Sequence, residues 1–119
     1  MMVRALTAAV ALVSFTAAAY AHAGLKSSSI EDGATLETAP PEITLEFTAE
    51  VGLASVQLET ADGSSLETGF SPDRSFAVEH AAPLPELSEG AYVLEWRALA
   101  RDGHVMTGEI SFSVTGGDA

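Results

Sequence analysis

The sequence predicts an all-β fold, a small antiparallel sandwich, on three observations. After residue 40 the chain repeatedly alternates apolar and polar side chains with period two, the pattern of half-buried strands. Turn-forming residues punctuate those runs at Pro40-Pro41, Asp62-Gly63, Pro72-Asp73, Pro83 to Pro85, Glu89-Gly90 and Asp102-Gly103. No stretch of the same region carries the 3.6-residue stripe of an amphipathic helix. Short strands at this spacing fit a sandwich or a barrel.

The strands follow in order. Glu42 to Thr48, "EITLEFT", sets Ile43, Leu45 and Phe47 on one face against Glu42, Thr44, Glu46 and Thr48. Ala54 to Thr60, "ASVQLET", turns Val56 and Leu58 inward and ends at the Asp62-Gly63 turn. Ser75 to His80, "SFAVEH", is a shorter and weaker strand. Ala91 to Ala100, "AYVLEWRALA", alternates Tyr92, Leu94, Trp96 and Ala98 against Val93, Glu95, Arg97 and Leu99; apolar on both faces in places, it reads as a central strand. Thr107 to Val114, "TGEISFSV", closes the set with Ile110, Phe112 and Val114 facing one way. Trp96, Tyr92 and Phe112 are expected in the core.

Ahead of this region, "MMVR" contributes one positive charge and "ALTAAVALVSFTAAA" contributes none before "AYA". A basic start, a modest apolar run and small residues at Ala19 and Ala21 make the pattern of a secretory signal cut after Ala21. The run is too short and too rich in alanine to span a bilayer, which takes roughly 20 strongly apolar residues. The expected organisation is therefore a signal peptide over 1–21 and one exported domain over 22–119, with His22 as its first residue.

Loss of the signal leaves four basic side chains against 17 acidic ones, a net charge of −13. Such a domain is repelled by nucleic acid and anionic lipid, so neither is an expected partner. The charge permits cation binding, and it also keeps a small exported domain soluble and monomeric. With no cysteine, the domain relies on its hydrophobic core for stability, and thiolate metal sites, disulfide exchange and cysteine nucleophiles drop out.

Metal chemistry then rests on three histidines, His22, His80 and His104, because a single methionine, Met106, remains after the signal. In "RDGHVM" the Asp102-Gly103 pair is a common hairpin turn. His104 is either a solvent-facing neighbour of that turn or a ligand, since residues two apart on an extended segment project to the same side. His22 is either an unconstrained residue after a cleavage site or a chelate. Its free α-amino group, with a reference pKa near ~7.7, can bind a metal together with its ring nitrogen. With Asp102 and His104 it would supply three nitrogens and one oxygen, a donor set suited to tetragonal Cu(II). Met106 reads as strand packing ahead of a soft Cu(I) ligand, His80 as a surface or turn residue ahead of a fourth ligand, and Glu50, just after the strand at 42–48, as a solvated loop carboxylate ahead of one that approaches a metal site.

These residues resemble the CopC family of periplasmic copper-binding, copper-resistance proteins across 22–114. An N-terminal histidine, followed after Ala23 and Gly24 by "LKSSSIEDGATLETAPPEITLEFTAEV", is similar to the family's start, opening strand, Pro-containing turn and Phe-ended second strand. Gly90, Tyr92, Trp96, Arg97, Asp102, Gly103, His104, Gly108 and Phe112 match the family's Gly-x-Tyr, Trp-Arg, Asp-x-His, Gly and Phe positions. The resemblance implies an immunoglobulin-like or cupredoxin-like Greek-key sandwich that binds one Cu(II) per chain through the amine and ring of His22, with Asp102 and His104. It implies a carrier or buffer without catalysis, at times acting with an inner-membrane CopD-type copper transporter. Two departures stand out. The methionine-rich Cu(I) loop of many members is missing, and Phe47-Thr48-Ala49-Glu50 puts Ala49 where members carry a glutamate. The competing readings are a copper-brace oxidative enzyme, for which an extended aromatic binding face is lacking, and an immunoglobulin-like accessory module that binds no metal.

Overall fold

The computed structural model describes residues 24–116; the predicted signal segment, its cleavage point and His22 lie outside the described residues. Seven strands form the described chain: β1 (Leu25–Ser28), β2 (Ala34–Leu36), β3 (Glu42–Thr60), β4 (Ser65–Leu66), β5 (Ala77–Pro83), β6 (Gly90–Ala100) and β7 (Val105–Val114). Their order across the curled sheet is β1-β3-β6-β7-β2, with β4 and β5 also paired to β3. No helix occurs among the described residues, and none there is long and apolar enough to cross a membrane.

The expected strands at 42–48 and 54–60 are one 19-residue strand, β3. Its first half lies between β1 and β5, and its second half between β6 and β4, so β3 belongs to both layers of the sandwich. Nothing between Thr48 and Ala54 can stop a strand, since neither proline nor a turn pair occurs there. The apparent break in alternation is a bulge. Leu53 pairs with Ala98 and Ser55 with Arg97, leaving Ala54 as the extra residue that shifts the buried side chains from Val51 and Leu53 to Val56 and Leu58.

Two further expectations are corrected. The sheet is mixed, because β2 runs parallel to β7 through Ala34↔Phe112 and Leu36↔Val114. The strand expected at 75–80 starts at Ala77 and continues to Pro83, which is tolerated because, among the described residues, β5 pairs with β3 alone. The rest of the pattern holds. Tyr92, Leu94, Trp96 and Ala98 on β6, and Ile110, Phe112 and Val114 on β7, are buried against Ile43, Leu45, Phe47 and Leu58 of β3. Tyr92 stacks on Phe112 with ring centroids 5.7 Å apart and donates its hydroxyl to the Ser88 carbonyl at 2.6 Å. Thr68, the one buried polar side chain among the described residues, donates to Val56 O at 3.2 Å and accepts from Phe70 N at 3.2 Å.

Two hairpins cap opposite ends of the β3 and β6 ladder. At one, Gly63 N donates to Thr60 O at 2.9 Å and Thr60 N to Ser64 O at 2.8 Å; at the other, Gly103 N donates to Ala100 O and Ala100 N to His104 O, both at 2.9 Å. Each is a turn closed by a glycine of positive φ, +93° at Gly63 and +95° at Gly103. The second hairpin, between β6 and β7, carries Asp102 and His104.

Candidate metal centre

The β6–β7 turn presents its two polar side chains to solvent as a pair. Asp102 Oδ1 accepts from His104 N at 3.0 Å, and its Oδ2 meets His104 Nδ1 at 2.9 Å. Turn formation accounts for the first contact: Asp62 makes the same one, accepting from Ser64 N at 3.2 Å. In the second contact the partner is an imidazole, where the residue after the glycine in the other turn is Ser64. Hydrogen bonds from the His104 backbone and side chain, aided by the imidazole's charge when protonated, hold the Asp102 carboxyl below its usual range. It is therefore an ionised acceptor at neutral pH.

That spacing suits a cation. With metal–ligand bonds of about 2.0 Å, two adjacent donors in a tetragonal complex lie roughly 2.8 Å apart. A metal would replace the proton that the carboxylate and imidazole now share. The described residues provide no group of three or more His, Cys, Asp or Glu that could hold an ion. Asp102 and His104 by themselves offer two potential donors, and the other sequence-predicted ligand, His22, lies outside the described residues.

The first described residue, Gly24, is at the same end of the molecule. Its carbonyl accepts from Thr48 N at 3.0 Å as β1 enters beside β3, and three residues further along β3, Val51 pairs with Ala100 at the base of the turn. Three strand residues span at most about 10 Å.

Other expectations sort plainly. Met106 packs partly buried against the core opposite Ala98, as strand packing requires. His80 is not a surface or turn residue: it sits within β5 opposite Leu45, its Nε2 lies 2.7 Å from Val51 O, and its ring meets Phe47 edge-on at 6.2 Å. Glu50 lies in β3 rather than in a loop, and its Oε1 accepts from Arg101 Nη2 at 2.7 Å and Nε at 3.2 Å. The Arg101 guanidinium also lies over the Phe76 ring, 4.7 Å from its centroid. Nothing local in the sequence announces this cluster, since its members come from three separate segments.

The family model described as the CopC domain matches residues 25–115. The chain belongs to the CopC family. A CopC relative called "Copper resistance protein C", from Xanthomonas campestris pv. juglandis, is 34% identical over 111 residues, covering 83% of this chain and 84% of that protein. "Copper transport protein CutJ" of Bacillus subtilis (strain 168) is 26% identical over 107 residues, which span 87% of this chain but 20% of that longer protein. The crystal structure of CopC from Methylosinus trichosporium OB3b superposes with a TM-score of 0.67 at 26% identity, covering 79% of this chain and 94% of that one.

Proposed function

We propose that this CopC-family protein is a periplasmic Cu(II) carrier that binds one ion per chain through the amine and ring nitrogen of His22, Asp102 and His104. It performs no turnover. The observation that carries this reading is the exposed Asp102–His104 pair, held 2.9 Å apart at the end of the sandwich where the chain enters β1. Two residues separate the start of the proposed mature chain from Gly24, and two residues reach at most about 7 Å, to which the imidazole adds its own length. Gly24 binds Thr48 only three β3 residues from Val51, which pairs with Ala100 at the base of the turn.

The mechanism follows from the ligands. The hairpin would supply a carboxylate and an imidazole already side by side, and the N-terminus would supply the amine and a second imidazole, so that the four donors together hold the ion. Every ligand must be deprotonated to bind, so acid weakens the complex. Relatives named for copper resistance and copper transport support the class of cargo, and a CopD-type inner-membrane transporter is the proposed recipient.

The test is Cu(II) titration, against a competing chelator, of protein starting at His22 and of protein carrying one extra alanine before it. The extended protein keeps its fold and loses at least about tenfold in affinity, each factor of ten being about 1.4 kcal/mol of lost ligation. Equal affinity of the two forms would remove the amine from the site, and no tight one-to-one binding by either would leave an accessory module that binds no metal.

A further inference from the structure

We propose that Arg101 is a positioning residue for copper, fixing the ligand-bearing hairpin to the same short stretch of β3 that holds the entry of the N-terminal strand. This inference rests on the copper site proposed above and adds what keeps its two halves together.

The pairing of β3 with β5 breaks between Glu46↔Glu79 and Val51↔Ala77, so five steps along β3 face two along β5 and the intervening residues stand away from the ladder. Two residues of that raised stretch reach sideways. Thr48 donates its N–H to Gly24 O, holding the segment that leads in from His22. Glu50 accepts twice from Arg101, the residue before Asp102. This ion pair and the Phe76 stack join the start of the turn to the body of the sandwich.

A surface ion pair alone holds little. Here one guanidinium is restrained in its plane by the carboxylate and across its face by the ring, which adds a cation–π contribution. When an ion is bridged by two arms, the affinity depends on the effective concentration of one arm at the other, and a hairpin free to swing dilutes that concentration.

The charge effect and the positioning effect have opposite signs, and that makes the test decisive. Arg101→Gln makes the protein one charge more negative, so simple electrostatics predicts tighter Cu(II) binding. Loss of positioning predicts binding weaker by roughly three- to tenfold, with faster release and an unchanged EPR spectrum because the ligands are unchanged. Glu50→Gln should weaken binding similarly, and the double variant should be no worse than either single one. Phe76→Leu alters no charge and should weaken binding about two- to threefold. In the metal-free protein, the Gly103 and His104 amides should exchange with solvent faster in Arg101→Gln while the thermal midpoint stays near that of the wild type. Tighter or unchanged binding by Arg101→Gln, with wild-type exchange at the turn, overturns the inference and leaves the copper site standing. A wild-type protein that takes up no Cu(II) overturns both.

Discussion

Replacing Gly108 by alanine should be the most costly single methyl addition on β7, the strand that follows the Asp102–His104 hairpin. Gly108 sits directly opposite Trp96 in the β6–β7 ladder, and a Cβ there would come within 2.5, 2.6 and 2.7 Å of Cζ2, Cε2 and Nε1 of the indole. Ordinary contacts between such atoms lie at about 3.5–4.0 Å, so ring and strand must part by roughly 1 Å. The ring has nowhere easy to go: Trp96 is 5% exposed, and Phe47 meets it edge-on with centroids 5.2 Å apart. Overpacking of this kind costs about 1–3 kcal/mol, and a rigid, buried neighbour puts Gly108→Ala in the upper part of that range. At about 4–8 °C per kcal/mol for a domain of this size, the midpoint should fall by roughly 10–20 °C. The assay is thermal unfolding of the metal-free mature protein followed by circular dichroism. Trp96→Phe provides the internal check, because phenylalanine lacks the fused benzo ring and the indole Nε1, a buried donor with no hydrogen-bond partner among the described residues. The double variant should be more stable than the sum of the two single effects by at least about 1 kcal/mol. A Gly108→Ala midpoint within about 2 °C of the wild type, or strict additivity with Trp96→Phe, would refute the packing argument.

Cu(II) affinity should fall with acid, because protons compete with the metal for its donors, while the metal-free Asp102 carboxyl should titrate below the usual carboxylate range because the His104 backbone and side chain donate to it. Cu(II) titrations across a pH series check the first, and the carboxyl carbon shift of Asp102 in the metal-free protein checks the second; an Asp102 carboxyl that titrates at or above the usual carboxylate range contradicts it. Ser64→His gives the opposite hairpin its own Asp62-x-His pair in a turn of the same geometry, nine β3 residues from Val51, about 30 Å away. In a background lacking His104, that grafted pair should give no tight Cu(II) binding, because no N-terminal amine reaches it; tight binding by the graft would show that the pair suffices. Gly103→Ala must hold alanine at φ +95°, which costs about 1–2 kcal/mol, and it should lower both the thermal midpoint and the copper affinity. A Gly63→Ala control should lower the midpoint alone.

Sequence reasoning found Asp102 and His104 because a turn dipeptide followed by histidine is local, and local patterns survive in a linear reading. It could not separate turn from ligand there, since Asp62-Gly63 looks the same until the next residue is compared. His80 was misread because a half-buried strand histidine is recognised only by the carbonyl it meets, and Val51 is 29 residues away. The break between Thr48 and Ala54 was misread because a bulge shifts the register of burial without any turn residue to mark it.

Alternation, turn residues and the lack of cysteine by themselves determined a small all-β domain with Leu45, Leu58, Leu94, Trp96 and Phe112 inside. They also singled out the hairpin that offers a carboxylate and an imidazole together. Only the tertiary structure decided that β3 runs unbroken through both layers, that β2 closes onto β7 in parallel, and that Thr48 and Glu50 hold the chain entry and the hairpin at one end. The physical reason is range: side-chain period and turn chemistry act over a few residues, whereas pairing partners and the Glu50–Arg101 contact, 51 residues apart, are chosen when distant segments pack.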